Sequence, residues 1–599
     1  MTAAGLAPPR ARGLRTYVPG LTVLHQYRRS WLGKDVVAGL VLSALLVPQG
    51  MAYAELAGMP PITGLYTSIL CLLGYAVFGP SRILVLGPDS SLGPMIAATV
   101  APLVVSGGDP AKAVALGSML AIIVGTIMVV AGLAKFGFIA DLFSKPTQIG
   151  YLNGLALTIL IGQLPKLLGF STDAEGLIHE AGAVVSGIVH GEVNAAAATV
   201  GVLSLAGILV LQRWLPKIPA VLVAVVLSSV AVKVFDLTSR GVSTIGTLPR
   251  GFPPLTFPVV PLDALPQLLL GAVSIAVVAL ADTISTASSF AARRGERVQG
   301  NQEMIGIGAA NIAAGLFQGF PVSTSGSRTA VAEQSGSRSQ ITGVVGAVTI
   351  TLLLLLAPGA MQYVPQPALG AVVIVAALSL ADVAGTRRLW HQRRMEFGVS
   401  VIAFLGVALL GVLPGILVAI TMSILNVFRR LWWPHHAQLG RVPGLAGLHD
   451  ASSYPDVEFV PGLVVFRFDA PLIFANCRAF GEEVRELLTT RPDLRWVVIA
   501  AEPVTDVDTT AADTLAQLRQ WLHERGVRLV FAELKDPVRA KLARYTSTLT
   551  MNPEDFCPTL DEAVSRFISS SGATWQPGER AASTSDRGHG TPNRNSQLS

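Results

Sequence analysis

From about residue 36 to residue 428 this chain is a succession of apolar runs almost free of charge. Many are near the roughly 20 residues that an α-helix needs to cross the hydrocarbon of a bilayer. Composition agrees: 51% of the 599 residues are hydrophobic and 14% charged, with a mean hydropathy of +0.56, far above a soluble globular chain. The pattern predicts an all-α polytopic membrane domain of about fourteen spans. The first seven run roughly 36–56, 62–79, 84–103, 112–132, 138–163, 194–212 and 218–235. The next seven run roughly 266–290, 303–318, 321–334, 340–357, 368–382, 396–412 and 415–429.

Two of these spans are interrupted. ILVLGPDSSLGPMIAATV (83–100) and AAGLFQGFPVSTSGSRTAVA (313–332) begin apolar, break at Gly and Pro, then restart with small hydroxyl residues. Pro88 and Pro321 cannot donate a backbone hydrogen bond, and Gly87 and Gly319 loosen the helix further. Bare backbone at membrane depth is tolerated where it lines a cavity inside the protein. A helix restarting there offers free N–H groups and a positive dipole end, suited to an anion. Each broken segment is the third span of its seven, so the chain reads as a 7+7 inverted repeat with half-helices at spans 3 and 10, the pattern of a transporter's binding site.

Loop charges set an orientation. With the N-terminus inside, the inner loops hold Arg82; Lys135; Arg213 and Lys217; Arg293, Arg294 and Arg297; Arg338; and Arg387, Arg388, Arg393 and Arg394. The outer loop 164–193 holds Asp173, Glu175, Glu180 and Glu192 against Lys166. This fits the positive-inside rule and puts both termini in the cytoplasm of a plasma (inner) membrane protein. The net charge of +6 reads as juxtamembrane Lys and Arg, not as a nucleic-acid surface. Cys71, Cys477 and Cys557 give no disulfide framework and no metal spacing. The Arg-rich N-terminus lacks a short apolar stretch ending in a cleavage site, so the first run is expected to be a retained helix.

After FRRLWWPHH (428–436) the pattern changes. VVFRFDA (464–470), WVVIAA (496–501) and VRLVFAEL (527–534) read as buried strands, separated by amphipathic stretches near 477–489, 511–524 and 536–545. The expected domains are a cytoplasmic N-terminal segment (1–34), a membrane domain (35–430, repeats about 35–236 and 264–430), a linker (431–454), a small cytoplasmic α/β domain (455–570) and a disordered tail (571–599).

VPQGMAYAELAGMPPITGLY (47–66) resembles the first-helix signature of the SulP anion-transporter family, the sulfate permeases related to prestin. ANIAAGLFQGFPVSTSGSRTAV (310–331) resembles its tenth-span signature, and VTDVDTTAADTL (504–515) the loop and helix start of a STAS domain. The resemblance covers roughly residues 15–570. It implies a core module moving against a gate module, a small anion substrate, a co-transported proton or sodium, and often a homodimer in membrane lipid.

Gln49 and Tyr53 are four apart and share one helix face just after Pro48. The resemblance puts both in an anion pocket; the plainer reading has Gln49 bonding a neighbouring helix and Tyr53 packing. Ser90 and Ser91, and Ser323, Thr324, Ser325 and Ser327, sit where the half-helices restart. They replace part of an oxyanion's hydration shell, cap the helices, or both. Arg328 offers a planar guanidinium fork for an oxyanion, unless it pairs permanently with Asp89 or Asp282. Asp282 lies deep in SIAVVALADTISTASSF (274–290), where a lone carboxylate marks function by default. It either carries a proton or, with Thr286 one turn on, holds sodium; a structural ion pair is the remaining reading. Asp89 departs from the small or apolar residue many family members carry after this Gly-Pro. It is a second proton carrier or the partner of Arg328. Glu55 reads as structural. Thr509 and Thr510 match a position phosphorylated in stand-alone bacterial STAS proteins, against an ordinary helix N-cap.

No catalytic triad, metal cluster, nucleotide loop or cofactor motif stands out, which argues against an enzyme. The expectation is a secondary active anion transporter (sulfate, bicarbonate or dicarboxylate) working by alternating access and coupled to protons. An uncoupled channel or exchanger, or a sodium-coupled bicarbonate transporter, is the alternative. A nucleobase permease is disfavoured because the tenth span carries Ser, Thr and Arg instead of a carboxylate. A STAS-based signalling platform is disfavoured because fourteen spans exceed what an anchor needs.

Overall fold

The computed structural model describes residues 18–20, 25, 27–104, 109–137, 144–172, 174, 176–215, 218–294 (backbone only at 293–294), 298–545 and 552–573. Most of segment 1–34, the tail beyond 573, and the loop charges Asp173, Glu175, Lys217 and Arg297 lie outside the described residues. The chain divides into two compact units, Met1–Ile424 and Leu425–Ser599.

Every predicted span has its element. The first half comprises α1 (Leu32–Leu56), α2 (Pro61–Phe78), β1 (Leu86–Gly87) with α3 (Gly93–Val100), α4 (Pro110–Leu133), α5 (Lys145–Leu168), α6 (Leu177–Val189), α7 (Ala195–Trp214) and α8 (Ala220–Val234). The second comprises α9 (Leu265–Arg294), α10 (Gly300–Leu316), β2 (Ser323–Thr324) with α11 (Gly326–Gln334), α12 (Ile341–Leu356), α13 (Gln366–Leu380), α14 (Val383–Gln392), α15 (Arg394–Leu410) and α16 (Val412–Trp432). The additions are α6, inside the loop read as 164–193, and the ten-residue α14. Both are too short to span a bilayer, so a search for span-length apolar runs passes over them.

The helices pack in two groups. In one, α10 lies against α4 and α2, and α12 against α1 and α2; in the other, α5 lies against α15 and α13, and α13 against α7. Small residues permit the close crossings. A Cβ on Gly64 of α2 would fall 1.9 Å from the Gly50 carbonyl oxygen of α1, so this crossing accepts no side chain.

The interrupted segments meet. Leu86 pairs with Thr324 and Gly87 with Ser323 in an antiparallel bridge, as expected where the third elements of two opposed halves face each other. The backbone released by the breaks is satisfied within the protein. Ser325 N donates to the Val85 carbonyl at 3.2 Å. Val85 N donates to Thr329 Oγ1 at 3.1 Å, Val322 N to Asn311 Oδ1 at 2.9 Å and Phe320 N to Thr67 Oγ1 at 3.1 Å. Pro88 and Pro321 sit where no donor is needed.

The second unit is a six-stranded sheet in the order β4 (Leu448–Asp450), β3 (His436–Arg441), β5 (Leu463–Phe468), β6 (Trp496–Ala500), β7 (Arg528–Ala532), β8 (Phe556–Cys557). Strands β5 to β8 are parallel, while β3 runs antiparallel to both its neighbours. Val464, Phe466, Val497 and Phe531 face α17 (Cys477–Thr490), α18 (Thr509–His523) and α19 (Asp536–Tyr545). Val465, Val498 and Val530 face α20 (Leu560–Ser571). Burial on both faces explains why the three strands read as unbroken apolar runs. Strands β3 and β4 arise in the stretch between the two expected domains; β4 is an edge strand and β3, between it and β5, is only partly buried, so both read as mixed polar sequence.

Candidate functional site

The two half-helices face a cavity of about 730 Å³. Gln49 and Tyr53 line it from α1; Asp89, Ser90 and Ser91 from the turn before α3; Asp282 and Thr286 from α9; and Thr324, Ser325, Ser327 and Arg328 from β2 and α11. Ser323 does not reach it: its bridge with Gly87 turns the side chain into the protein, fully buried. Neither half-helix is closed by a side chain at its N-cap residue, Leu92 or Ser325. The serine hydroxyls are therefore not consumed by capping, and Ser325 Oγ lies 3.1 Å from Ser327 Oγ.

Arg328 is the one cation among the described lining residues. It is 1% exposed, and its Nη2 lies 3.4 Å from Asp89 Oδ2. Its Nε and Nη1 are buried without a hydrogen-bond partner, an arrangement costly unless an acceptor arrives. Gly87 leaves room for this packing, since a Cβ there would approach Arg328 Nη1 to 2.6 Å and displace the guanidinium. Asp89 turns its other oxygen to the helix end: Oδ1 accepts from Ser91 N at 2.9 Å and Ser91 Oγ at 2.7 Å. Ser91 Oγ also lies 3.2 Å from Asp282 Oδ2. One hydroxyl proton serves one carboxylate at a time, so Ser91 couples the two.

Asp282 Oδ1 accepts from Gln148 Nε2 of α5 at 3.2 Å. Thr324 Oγ1 donates to Thr283 Oγ1 at 3.2 Å, tying α9 to the break in the tenth span. Arg328 thus pairs with Asp89, not Asp282, and the polar neighbours of Asp282 are Ser91 and Gln148.

Glu55 sits apart, 3.7 Å from Lys166 Nζ of α5. In the second unit Thr509 and Thr510 are exposed at the start of α18, and Asp508 is the cap, accepting from Ala511 N at 2.8 Å. Sequence reading missed Gln148 and Thr283. The signal for Gln148 was present: it is an amide inside an apolar run, the argument already applied to Gln49.

Two opposed seven-span halves whose broken third spans meet over a polar cavity define a membrane transport protein of the inverted-repeat class. The chain belongs to the sulfate permease family, whose model matches residues 32–403, followed by a STAS domain at 454–563. It is 39% identical over 553 residues to a probable sulfate transporter of Mycobacterium tuberculosis, covering 92% of this chain and 98% of that protein. It is 32% identical over 500 residues to human solute carrier family 26 member 6, covering 79% and 65%. Among solved structures, the murine solute carrier 26 family member A9 anion transporter superposes with a TM-score of 0.85 at 21% identity over 94% of this chain and 97% of that one. The transmembrane domain of a cyanobacterial bicarbonate transporter superposes with a TM-score of 0.58 at 22% identity over 65% and 98%. At these identities the two structures speak for the fold alone. The family is one of integral membrane transporters rather than enzymes.

Proposed function

We propose that this protein is a secondary active transporter of small anions. The observation that carries the reading is Arg328, buried at the start of one half-helix and lining the cavity, with two guanidinium nitrogens that have no hydrogen-bond partner. One guanidinium, two helix N-termini and a set of hydroxyls suit an oxyanion or halide and do not suit a cation. The relatives named as sulfate transporters support sulfate as the first substrate to test.

Asp282 carries the coupling proton, with Asp89 as a second acidic group in the same cavity. Sodium held by Asp282 and Thr286 is the competing reading; the cavity position of Thr286 favours it, while the hydrogen bonds of Asp282 to Ser91 and Gln148 favour the proton. Transport proceeds by alternating access, the α1–α4 and α9–α12 group moving against the α5, α7, α13 and α15 group. The protein sits as a homodimer in the inner membrane with both termini cytoplasmic. The STAS domain, about 455–570, is regulatory, with Thr509 and Thr510 as its phosphorylation sites.

Uptake of labelled sulfate, bicarbonate and succinate into proteoliposomes tests the reading, with an inward proton gradient, an inward sodium gradient, or neither. Accumulation driven by the proton gradient is expected. Equal flux without a gradient marks a channel or exchanger, sodium dependence marks the competing reading, and no flux of any anion overturns the proposal.

A further inference from the structure

The anion site of this protein already holds an anion, one that belongs to the chain itself. Asp89 places one carboxylate oxygen on the guanidinium of Arg328 at 3.4 Å. The other accepts the backbone N–H and the hydroxyl of Ser91 at the mouth of α3. These are the contacts a bound oxyanion would make with a cation on one side and a helix end on the other. We infer that Asp89 is a tethered competitor for the substrate: an entering anion displaces its carboxylate from Arg328, and Asp89 leaves that pair by taking up a proton. This rests on the anion-transport reading above and deepens it by naming the residue that ties anion affinity to protonation.

Charge bookkeeping supports the exchange. The titratable groups facing Asp89 are Arg328 from α11, Asp282 from α9, Tyr53 from α1 and Tyr151 from α5. With both carboxylates ionised the cluster carries one cation against two anions. Adding a substrate anion there, away from water, is strongly unfavourable. In the balanced step the Asp89 carboxylate and a proton taken up from the bulk solution become the neutral acid, and the substrate takes the place of that carboxylate beside Arg328. No covalent bond to the substrate forms. The neutral Asp89 hydroxyl then becomes a donor that the bound oxyanion can accept. Ser91 relays the change, because its single hydroxyl proton, no longer drawn to an ionised Asp89, is free for Asp282 at 3.2 Å.

The test is equilibrium binding of sulfate and chloride to the purified full-length protein between pH 5 and 8, with proton uptake on binding recorded in weak buffer. Charge on both probes is constant over that range. Wild type should lose affinity by at least about tenfold per unit rise in pH and take up at least about one proton per anion bound. Asp89→Asn should bind at least about tenfold more tightly at pH 8, have a pH slope shallower than wild type by about tenfold per unit, and take up about one proton fewer. Asp89→Ser, with a smaller neutral side chain, should make the slope shallower too, and Asp89→Glu should keep the slope. A slope that persists undiminished in both neutral variants, or one abolished by Asp282→Asn instead, overturns the inference while leaving anion transport intact. No binding of either anion by wild type and Asp89→Asn at pH 5 overturns the transport reading and the inference with it.

Discussion

Gln148 Nε2 lies 3.2 Å from Asp282 Oδ1, so a side chain of α5 holds the carboxylate of α9 across the boundary between the two helix groups. A second link runs the same way, Tyr151 Oη donating to the Ser91 carbonyl at 3.4 Å. Helix α5 is thus in contact with both acidic arms of the site. A hydrogen bond to a charged group contributes about 1.5–3 kcal/mol. Gln148→Leu should therefore lower gradient-driven uptake by roughly 10- to 100-fold while changing sulfate affinity far less. Parallel binding and flux measurements check this; equal losses in both would contradict it.

Arg328 is the sole cation lining the cavity among the described residues, and its position depends on the missing side chain at Gly87. Arg328→Ala should abolish detectable anion binding. Arg328→Lys, a point charge without the fork, should retain weak binding, reduced by at least about tenfold. Gly87→Ala should behave like a milder form of Arg328→Lys, because the new methyl displaces the guanidinium. Thermal-shift titrations with sulfate rank the three.

A buried carboxylate with a structural task lies elsewhere. Asp35 of α1 accepts from Arg338 N at 2.7 Å, Ser339 N at 3.2 Å, Ser339 Oγ at 2.8 Å and Thr342 Oγ1 at 3.1 Å, closing the start of α12. Asp35→Ala strands these buried donors at a cost of about 3 kcal/mol. The expected result is a fall of several degrees in the detergent melting temperature with the anion-induced stabilisation of the remaining folded protein preserved.

In the second unit the Ser452 hydroxyl and backbone N–H hold the Asp450 carboxyl below the usual carboxylate range. A depressed folded value means the contribution is present above the unfolded value, near 3.9, and is lost as pH falls through the folded one. The protection of β3 and β4 amides, as exchange relative to the intrinsic rate at each pH, should therefore be high at pH 6 and fall below about pH 4. Asp450→Asn should show the lower protection at both pH values.

The span count, the pairing of the third and tenth segments and the three central strands of the STAS sheet were all legible, because each rests on local pattern. An apolar run of span length has one stable fate in lipid, and a strand buried on both faces is uniformly apolar. The short helices α6 and α14 and the strands β3 and β4 were not legible, since their existence depends on neighbours that supply their partners. Gln49, Tyr53, Ser90, Ser91, Arg328 and Asp282 were singled out because polar groups in an apolar run need a reason. Ser323 met the same criterion and faces away from the cavity, because a two-residue bridge alternates its side chains and places Thr324 and not Ser323 on the cavity side.

The sequence by itself determined that this chain crosses a membrane many times, that two of its helices must break, and that hydroxyls, one arginine and two aspartates gather at or near those breaks. Only the tertiary structure decided who pairs with whom. Asp89 and Arg328 are 239 positions apart, and Asp282 stood as an equal candidate for the arginine. Antiparallel contact of β1 with β2 carries the arginine to Asp89, while Ser91 and Gln148 claim Asp282. Pairing over such separations is set by how opposed halves pack, a property that no local stretch of sequence contains.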